Sequence, residues 1–271
     1  MSRLPPDLSE LVFSIIERND RLGGQPTLEL PELRPKLQFF FGDPYIFDFN
    51  RGAASPAPVA GLWGPKTVTT HSLPGRHVHV FIIDLYPQAL DALGLGPMRE
   101  FVDAVIPLEV LIGARAVEWY EEMQAALSFQ SRSDVCLRWL RQLRTGRATT
   151  CSRAMVALAQ IVNTGASTVE QISACVDVCP RLLRRHFSNE IGLSPKFAMR
   201  LQRFNRALVR LHPQPWDSST EDEDPIASFH DQAHFIKDFQ AFTGGVTPKA
   251  FVDAKRRTGD ALVTTLIQPA L

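Results

Sequence analysis

Three arginines stand at helical spacing in the second half of the chain, where they are suited to contact an anion. Arg181, Arg184 and Arg185 occupy positions i, i+3 and i+4 of a predicted helix, while Leu183 and Phe187 face the opposite way. Guanidinium groups so close together repel one another unless an anion lies against them. Arginine can bond bidentately to guanine edges or neutralise phosphate, so the pattern favours a nucleic-acid contact. For this helix taken alone, a solvated basic face is the alternative.

The next predicted helix, Ser194–Leu211, extends the positive charge. Between positions 181 and 210 Glu190 is the only acid. The basic residues there are Arg181, Arg184, Arg185, Lys196, Arg200, Arg203, Arg206 and Arg210. Such a distribution suits a phosphate backbone. At ~1.5 Å per residue the helix spans roughly 25 Å, so it could hold two reading elements about one DNA turn, ~34 Å, apart once their widths are added.

A second reading element is predicted at Asp231–Phe242. Its inner stripe consists of Phe235, Phe239 and Phe242. Its opposite face carries Gln232, Ala233, Ile236, Lys237 and Gln240. Glutamine suits adenine, lysine suits guanine or phosphate, and a small apolar residue suits a thymine methyl group. An outward Ile236 is unusual on a solvated helix and fits a groove better.

Helix signals position both elements. Thr168 with Gln171 three residues later forms a capping-box pattern, and Pro180 stands at the first position of the arginine helix. Thr168–Ile191 is therefore predicted to be a helix, a tight turn and a second helix. Further helices are predicted at Cys151–Val162, Ser194–Leu211, Asp231–Phe242 and Pro248–Arg257.

The first half has a different pattern, rich in β-branched and aromatic residues. Strands are predicted at Lys36–Asn50, Lys66–His71 and His77–Tyr86, with turns at Gly42-Asp43-Pro44 and Pro74-Gly75-Arg76. Two longer helices follow, at Ala114–Phe129 and Asp134–Leu143. We expect an α+β protein, in which a β-rich sandwich or barrel with trailing helices precedes an all-α part. The predicted boundary lies near Arg144–Thr150, giving domains at 1–146 and 151–258 and a tail at 259–271.

The composition of the chain excludes several classes of protein. The chain has 271 residues, with 29 Lys+Arg against 29 Asp+Glu, and 45% of its residues are hydrophobic. These values exclude disorder and collagen-like structure. Zero net charge alone argues against nucleic acid, but the first half is slightly acidic and the second slightly basic. The sequence has no apolar run long enough to span a membrane, no signal-peptide pattern and too few cysteines for a secreted framework, so we expect a cytoplasmic protein.

Other residue clusters give weaker indications of chemistry. Cys175 and Cys179 lack further ligands at zinc spacing, so a structural role is favoured over a metal site. His230 and His234 have the i, i+4 spacing of two metal ligands, and the scaffold alternative is favoured there as well. His77 and His79 line either a pocket or a half-exposed strand.

No constellation suited to catalysis is apparent. Asp43, Asp48 and Asp84 are isolated, and the sequence has no phosphate-binding loop or nucleophile-elbow motif. The first half contains only Cys136 as a nucleophilic cysteine. We therefore expect no enzyme, no cofactor and no metal.

The second half resembles the DNA-binding module of AraC/XylS-type bacterial transcription regulators. The resemblance covers roughly Cys151 to Arg257. It is carried by RLLRRHFSNEIGLSPKFAMRLQRFNRAL and DQAHFIKDFQAFTGGVTPKAF. More weakly, LPELRPKLQFFFGDPY, GLWGPKT and FIIDLYPQALDALGL are similar to the sensor domain that precedes such modules.

This resemblance implies two helix-turn-helix units joined by a long helix. The base-reading positions would be Arg181, Arg184 and Arg185 in the first unit and Gln232 and Lys237 in the second. We expect Lys196 and Arg203 to hold phosphates. The function implied is a sequence-specific transcription regulator of operator or promoter DNA, controlled by a small ligand in the N-terminal half. RNA polymerase and a second copy of the chain are further candidate partners. A core, a dimer surface or both are open for the helical residues Trp119, Tyr120, Leu127, Trp139 and Leu140.

One segment departs from the family pattern. Trp216–His230 is about four residues longer than usual, carries Glu221–Asp224, breaks at Pro225 and has Ser228 where glycine is expected. Four acids near phosphates would be repelled. The segment is either a solvated acidic loop or a device that weakens or controls the second unit. It supports the alternative function, a small-molecule or protein-binding module with a vestigial DNA-binding unit.

Overall fold

The N-terminal half forms two antiparallel sheets. The computed structural model describes residues 4–21, 27–48, 54–144, 152–164, 168–210 and 232–258. The described strands are β1 Val12–Asp20, β2 Thr27–Glu29, β3 Lys36–Phe40, β4 Ile46–Asp48, β5 Ala54–Pro56, β6 Ala60–Trp63, β7 Thr70–Leu73, β8 Val78–Leu85 and β9 Val105–Pro107. One sheet has the order β1-β8-β3-β6-β9 and the other β2-β7-β4-β5.

The interior strand β8, which lies between β1 and β3, is largely apolar on both faces because both faces are covered. Val80 and Ile82 pack between the two sheets with side chains of both, including Phe40 and Phe47. Phe81, one position on, lies in the other core, against the helices. A strand buried on two sides loses the apolar–polar alternation of a half-exposed one.

Helices follow the sheets. In the first half they are α1 Ala89–Ala92, a 3₁₀ helix Met98–Glu100, α2 Leu108–Ile112, α3 Arg115–Ala125 and α4 Phe129–Leu143. In the second half they are α5 Arg153–Thr164, α6 Val169–Cys175, α7 Pro180–His186, a π-helical turn Phe187–Ile191, α8 Pro195–Arg210, α9 Gln232–Phe242 and α10 Pro248–Thr258. The predicted α+β class, β-rich first and helical second, is confirmed.

The turn predicted at Gly42-Asp43-Pro44 is confirmed, since it separates β3 from β4 within the run Lys36–Asn50. Two other predicted boundaries were wrong for local reasons. In Lys66–His71 only the end is strand: β7 starts at Thr70, and Lys66 forms a single bridge with Glu32. The helix predicted at Ala114–Phe129 ends at Ala125, because Ser128 and Ser131 form a capping box that starts α4.

The helical aromatics belong to the core. The rings of Trp119 and Trp139 stack with centroids 5.7 Å apart, and both side chains are buried. The hydroxyl of Tyr120 donates to the carbonyl of Phe40 at 2.8 Å, which ties α3 to β3. The structure therefore places Trp119, Trp139 and Leu140 in the core, whereas Leu127 is exposed.

Polar contacts fasten the sheet and helices of the first half. Glu17 Oε1 accepts from Arg132 of α4 at 2.6 Å and lies 2.7 Å from Nε2 of His79. Nε2 of His77 lies 3.0 Å from Oδ1 of Asn19. Both histidines thus contact strand β1 rather than project into a cavity, which favours the strand interpretation. Among the described residues, no helix is long and apolar enough to cross a membrane.

The buried Lys36 is held by carboxylates. Its ammonium lies 2.5 Å from Glu32 and 3.7 Å from Asp84, and Asp84 also accepts from Ser14 at 2.6 Å. Burial alone would lower the pKa of Lys36, but Glu32 and Asp84 outweigh it and raise the pKa above its ordinary value. Asp84, one of the isolated acids, is therefore part of a structural ion-pair cluster.

Candidate nucleic-acid interface

The first helix-turn-helix unit, Thr168–Ile191, forms as the sequence predicts. Thr168 Oγ1 accepts from the backbone N–H of Gln171 at 3.2 Å, and the Gln171 side chain accepts from the Thr168 N–H at 3.2 Å. The turn passes through Asp177 at φ 50°, a left-handed conformation that Asp tolerates better than most residues. Pro180 then occupies the first turn of α7, where its missing N–H costs nothing.

The arginine helix presents two chemically different faces. Leu183 and Phe187 are fully buried in the core. Arg181, Arg184 and Arg185 are exposed, and none of them pairs with any residue in the described ranges. Three adjacent unpaired guanidinium groups are free to meet an external anion.

The long helix α8 contributes fewer free cations than its sequence suggests. Arg200 lies 2.7 Å from Asp238 of α9, and Arg206 donates to the carbonyl of Asn163 at the end of α5 at 2.9 Å. These two arginines hold helices together. Lys196 and Arg203 are exposed and have no ion pair with a described residue.

The second unit, α9 and α10, packs through aromatic rings. Phe235, Phe239 and Phe242 are buried, and Phe239 and Phe242 lie 5.3 and 5.1 Å from Phe204 of α8, ring centre to ring centre. Lys237 is exposed on the other side of α9. Gln232 begins α9, but its side chain lies outside the described residues.

The prediction that the side chain of Ile236 points outward was wrong. This side chain is half-buried and packs against the core. The helical turn places it next to the phenylalanine stripe, so burial of its side chain explains its presence. The exposed face of α9 is instead formed by Ala233, Lys237 and Ala241.

Residues of the N-terminal half touch the ends of both units, which the sequence did not indicate. The guanidinium of Arg99 donates to the carbonyl of Asn189, and the hydroxyl of Thr69 donates to the carbonyl of Phe242. The partners are separated by 90 and 173 positions. No short-range pattern links residues so far apart, so only the folded chain reveals these contacts.

Two cavities of the described residues differ greatly in size. The space between the sheets, beside Arg18, Glu29 and Tyr45, is about 30 Å³, which holds roughly one water. A larger cavity of about 390 Å³ lies between the halves, where Glu10, Tyr86 and Arg144 meet residues of α5. The second volume is in the range of small-molecule sites.

The cysteines show no metal-site geometry in the described part of the chain. Cys175 and Cys179 are exposed free thiols, and Cys136 is buried, which raises the pKa of its thiol. No group of three or more His, Cys, Asp and Glu side chains within the described ranges could hold a metal ion. His230 and the acidic segment Glu221–Asp224 lie outside the described residues.

Comparisons with known proteins give structural likenesses only. No family model matches the sequence, and no curated protein matches it. ToxT from Vibrio cholerae O395 has a TM-score of 0.46 and 11% identity, with 90% of this chain and 98% of that chain covered. Wild-type ToxT from Vibrio cholerae strain SCE256 with bound unsaturated fatty acid has a TM-score of 0.44 and 10% identity, covering 95% and 98%. The AraC-like transcriptional activator CuxR has a TM-score of 0.28 and 14% identity, covering 74% and 78%. No site residue of this chain is assigned from these structures.

Proposed function

We propose that this protein is a sequence-specific DNA-binding transcription regulator. The observation that carries the proposal is the exposed, unpaired set Arg181, Arg184 and Arg185 on the second helix of a helix-turn-helix. A helix of this motif enters the major groove, where arginine recognises guanine through O6 and N7.

The proposal assigns a role to each exposed cation. Arg181, Arg184 and Arg185 read one segment of the major groove, and Lys196 and Arg203 on α8 hold phosphates. Lys237 and Gln232 at the start of α9 contact the next turn of the duplex. Residues 151–258 would then act as the DNA-binding part and residues 1–146 as the regulatory part.

Control by a small ligand is the second component of the proposal. The space that the described residues enclose between the sheets is about 30 Å³, whereas the cavity of about 390 Å³ between the halves has a volume in the range of small-molecule sites. Glu10 and Arg144 line it from the first half and Asn163 from the second. A molecule bound there would contact both halves and could alter how they are oriented.

Selection from a pool of randomised duplexes by the full chain tests this function. We expect enrichment of a bipartite sequence whose two elements lie about one helical turn, ~10 base pairs, apart. A variant with Arg181, Arg184 and Arg185 changed to alanine should lose enrichment of one element. A pool that stays random after selection by the unaltered chain would contradict the proposal.

A further inference from the structure

The N-terminal half contacts the first helix-turn-helix unit at the end of its reading helix. Besides the bond from Arg99 to the carbonyl of Asn189, the backbone there is closely packed. A Cβ on Gly192 would lie 3.0 Å from Cα of Arg99 and 3.1 Å from Cγ2 of Val102. Gly192 also has φ +80°, so glycine is favoured there by both conformation and space.

A neighbouring loop of the same half contacts the second unit at an equivalent place. Thr69 Oγ1 donates to the carbonyl of Phe242, the last residue of α9. Carbonyls at the end of a helix lack partners within the helix. Thr69 thus satisfies one of them and fastens α9 to the N-terminal half.

These two loops are bonded to each other. The backbone N–H of Thr67 donates to Oδ1 of Asp103 at 2.6 Å, and the Thr67 hydroxyl donates to Oδ2. The N–H of Asp103 donates to the carbonyl of Pro65 at 2.8 Å. Asp103 has φ 55°, an uncommon backbone conformation that these bonds stabilise.

We infer that Thr67, Thr69, Arg99 and Asp103 form a bridge that sets the separation of the two DNA-reading helices. The bridge connects the end of the first reading helix to the end of α9 without passing through α8. If α8 were the only connection, the two units could still move relative to each other. The bridge is a second connection, and it restricts that movement. The four residues are positioning residues, since they act on DNA through α7 and α9.

The contacts are compatible with bound DNA. They lie at the C-terminal ends of the reading helices, and Arg184, Arg185 and Lys237 remain exposed. Their effect is therefore to favour duplexes in which the two recognised elements are correctly spaced. This inference rests on the proposed DNA-binding function.

The test uses a variant of the full chain, the bridge variant, that carries both Thr69→Val and Arg99→Met. These changes remove the bond to each unit while keeping side-chain size. The control carries Arg76→Met and Ser55→Ala, changes at exposed positions outside the bridge and outside the segments that it contacts. The DNA probes are the duplex selected by the unaltered chain and versions with one to three base pairs added between its elements. The affinity for duplexes that contain only one of the two elements is also measured.

For the unaltered chain and the control, each wrong spacing should cost about tenfold or more in affinity, similar to a mismatched base pair. For the bridge variant, each wrong spacing should reduce the affinity by less than about threefold, and the affinity for each single element should be unchanged. A bridge variant that keeps the full spacing preference overturns the inference.

Amide hydrogen exchange of the free protein provides a readout that does not depend on DNA. Exchange in residues 187–192 and 239–245 should be about tenfold faster in the bridge variant than in the control, since local opening is easier. Unchanged exchange overturns the bridge itself. If the unaltered chain selects no DNA sequence, the proposed function fails and the spacing role fails with it, while exchange still decides whether the bridge exists.

Discussion

Among single residues, the proposed DNA contacts depend on which cations lack a partner in the described part of the chain. The charge of Arg200 is offset by Asp238, whereas Arg206 donates to the carbonyl end of α5 and serves to hold two helices together. Arg184 has no partner among the described residues. Sequence spacing identified the positive helix face correctly, but it could not separate structural arginines from free ones, because their partners lie about 40 positions away.

Arg184→Ala should weaken binding to the selected duplex by about 1–3 kcal/mol and relax the preference at one base pair. The reason is the loss of a bidentate contact to a guanine edge. Fluorescence anisotropy against single-base variants of the site measures both effects, with Arg76→Ala as the control for losing an exposed arginine. An equal loss on every sequence would show that Arg184 contacts phosphate instead.

Lys36→Met should lower the free energy of unfolding by about 3–5 kcal/mol at neutral pH. Its removal leaves the buried carboxylates Glu32 and Asp84 without their common cation. Urea denaturation measures the loss, and Lys249→Met, at an exposed position, should change stability by less than about 0.5 kcal/mol. A loss below about 1 kcal/mol at Lys36 would mean that the ion pairs are replaceable.

The same lysine gives an alkaline pH dependence. The folded pKa of Lys36 is raised above its unfolded value, so its contribution to stability is fully present below the unfolded pKa, about 10.4. That contribution is lost as pH rises through the folded pKa. Stability measured from pH 9 upward should fall more steeply for the unaltered chain than for Lys36→Met, and parallel curves would contradict this assignment.

At the scale of elements, local signals predicted the helices well and the strands less well. The capping box at Thr168 and Pro180 placed α6 and α7 correctly, because caps act within a few residues. Strands β1, β6 and β9 had no comparable signal. Their partners, such as β8 for β1, are supplied by distant parts of the chain. The contacts of Arg99 and Thr69 with the helix-turn-helix units were missed for the same reason.

Gly192→Ala should destabilise the protein more than Gly244→Ala. Both glycines have positive φ, at 80° and 69°, so both changes cost about 1–2 kcal/mol in backbone strain. A Cβ at Gly244 meets nothing within 4 Å, whereas one at Gly192 presses on Arg99 and Val102. The difference between the two free energies of unfolding therefore measures the packing between halves, and equal losses would argue against close contact at Gly192.

At the scale of the whole molecule, the two halves share one continuous core. Buried residues from Leu8 in the first half to Phe251 in α10 belong to a single cluster. In the proposed mechanism, a ligand between the halves would act on the helices of the two units through this packing and through the contacts of Thr69 and Arg99. The zero net charge is the sum of an exposed basic face and acids elsewhere in the chain.

Replacing Glu221, Asp222, Glu223 and Asp224 by their amides should tighten DNA binding. These acids lie outside the described residues, and the prediction rests on their sequence position between α8 and α9. Loss of repulsion should raise affinity by about fivefold at low salt and by less at high salt, where charges are screened. Anisotropy at both salt concentrations measures this, and the amides keep the segment length constant. Unchanged affinity at low salt would contradict a controlling role.

Sequence-specific DNA binding is tested by the affinity of the full chain for its selected duplex and for a scrambled duplex, at about 50 and 200 mM salt. We predict that both affinities fall with salt while the selected duplex keeps an advantage of about 10³-fold or more, because contacts to base edges persist when phosphate contacts weaken. Equal, weak affinity for the two duplexes at both concentrations would contradict the account and favour a binding module whose DNA-binding unit is vestigial.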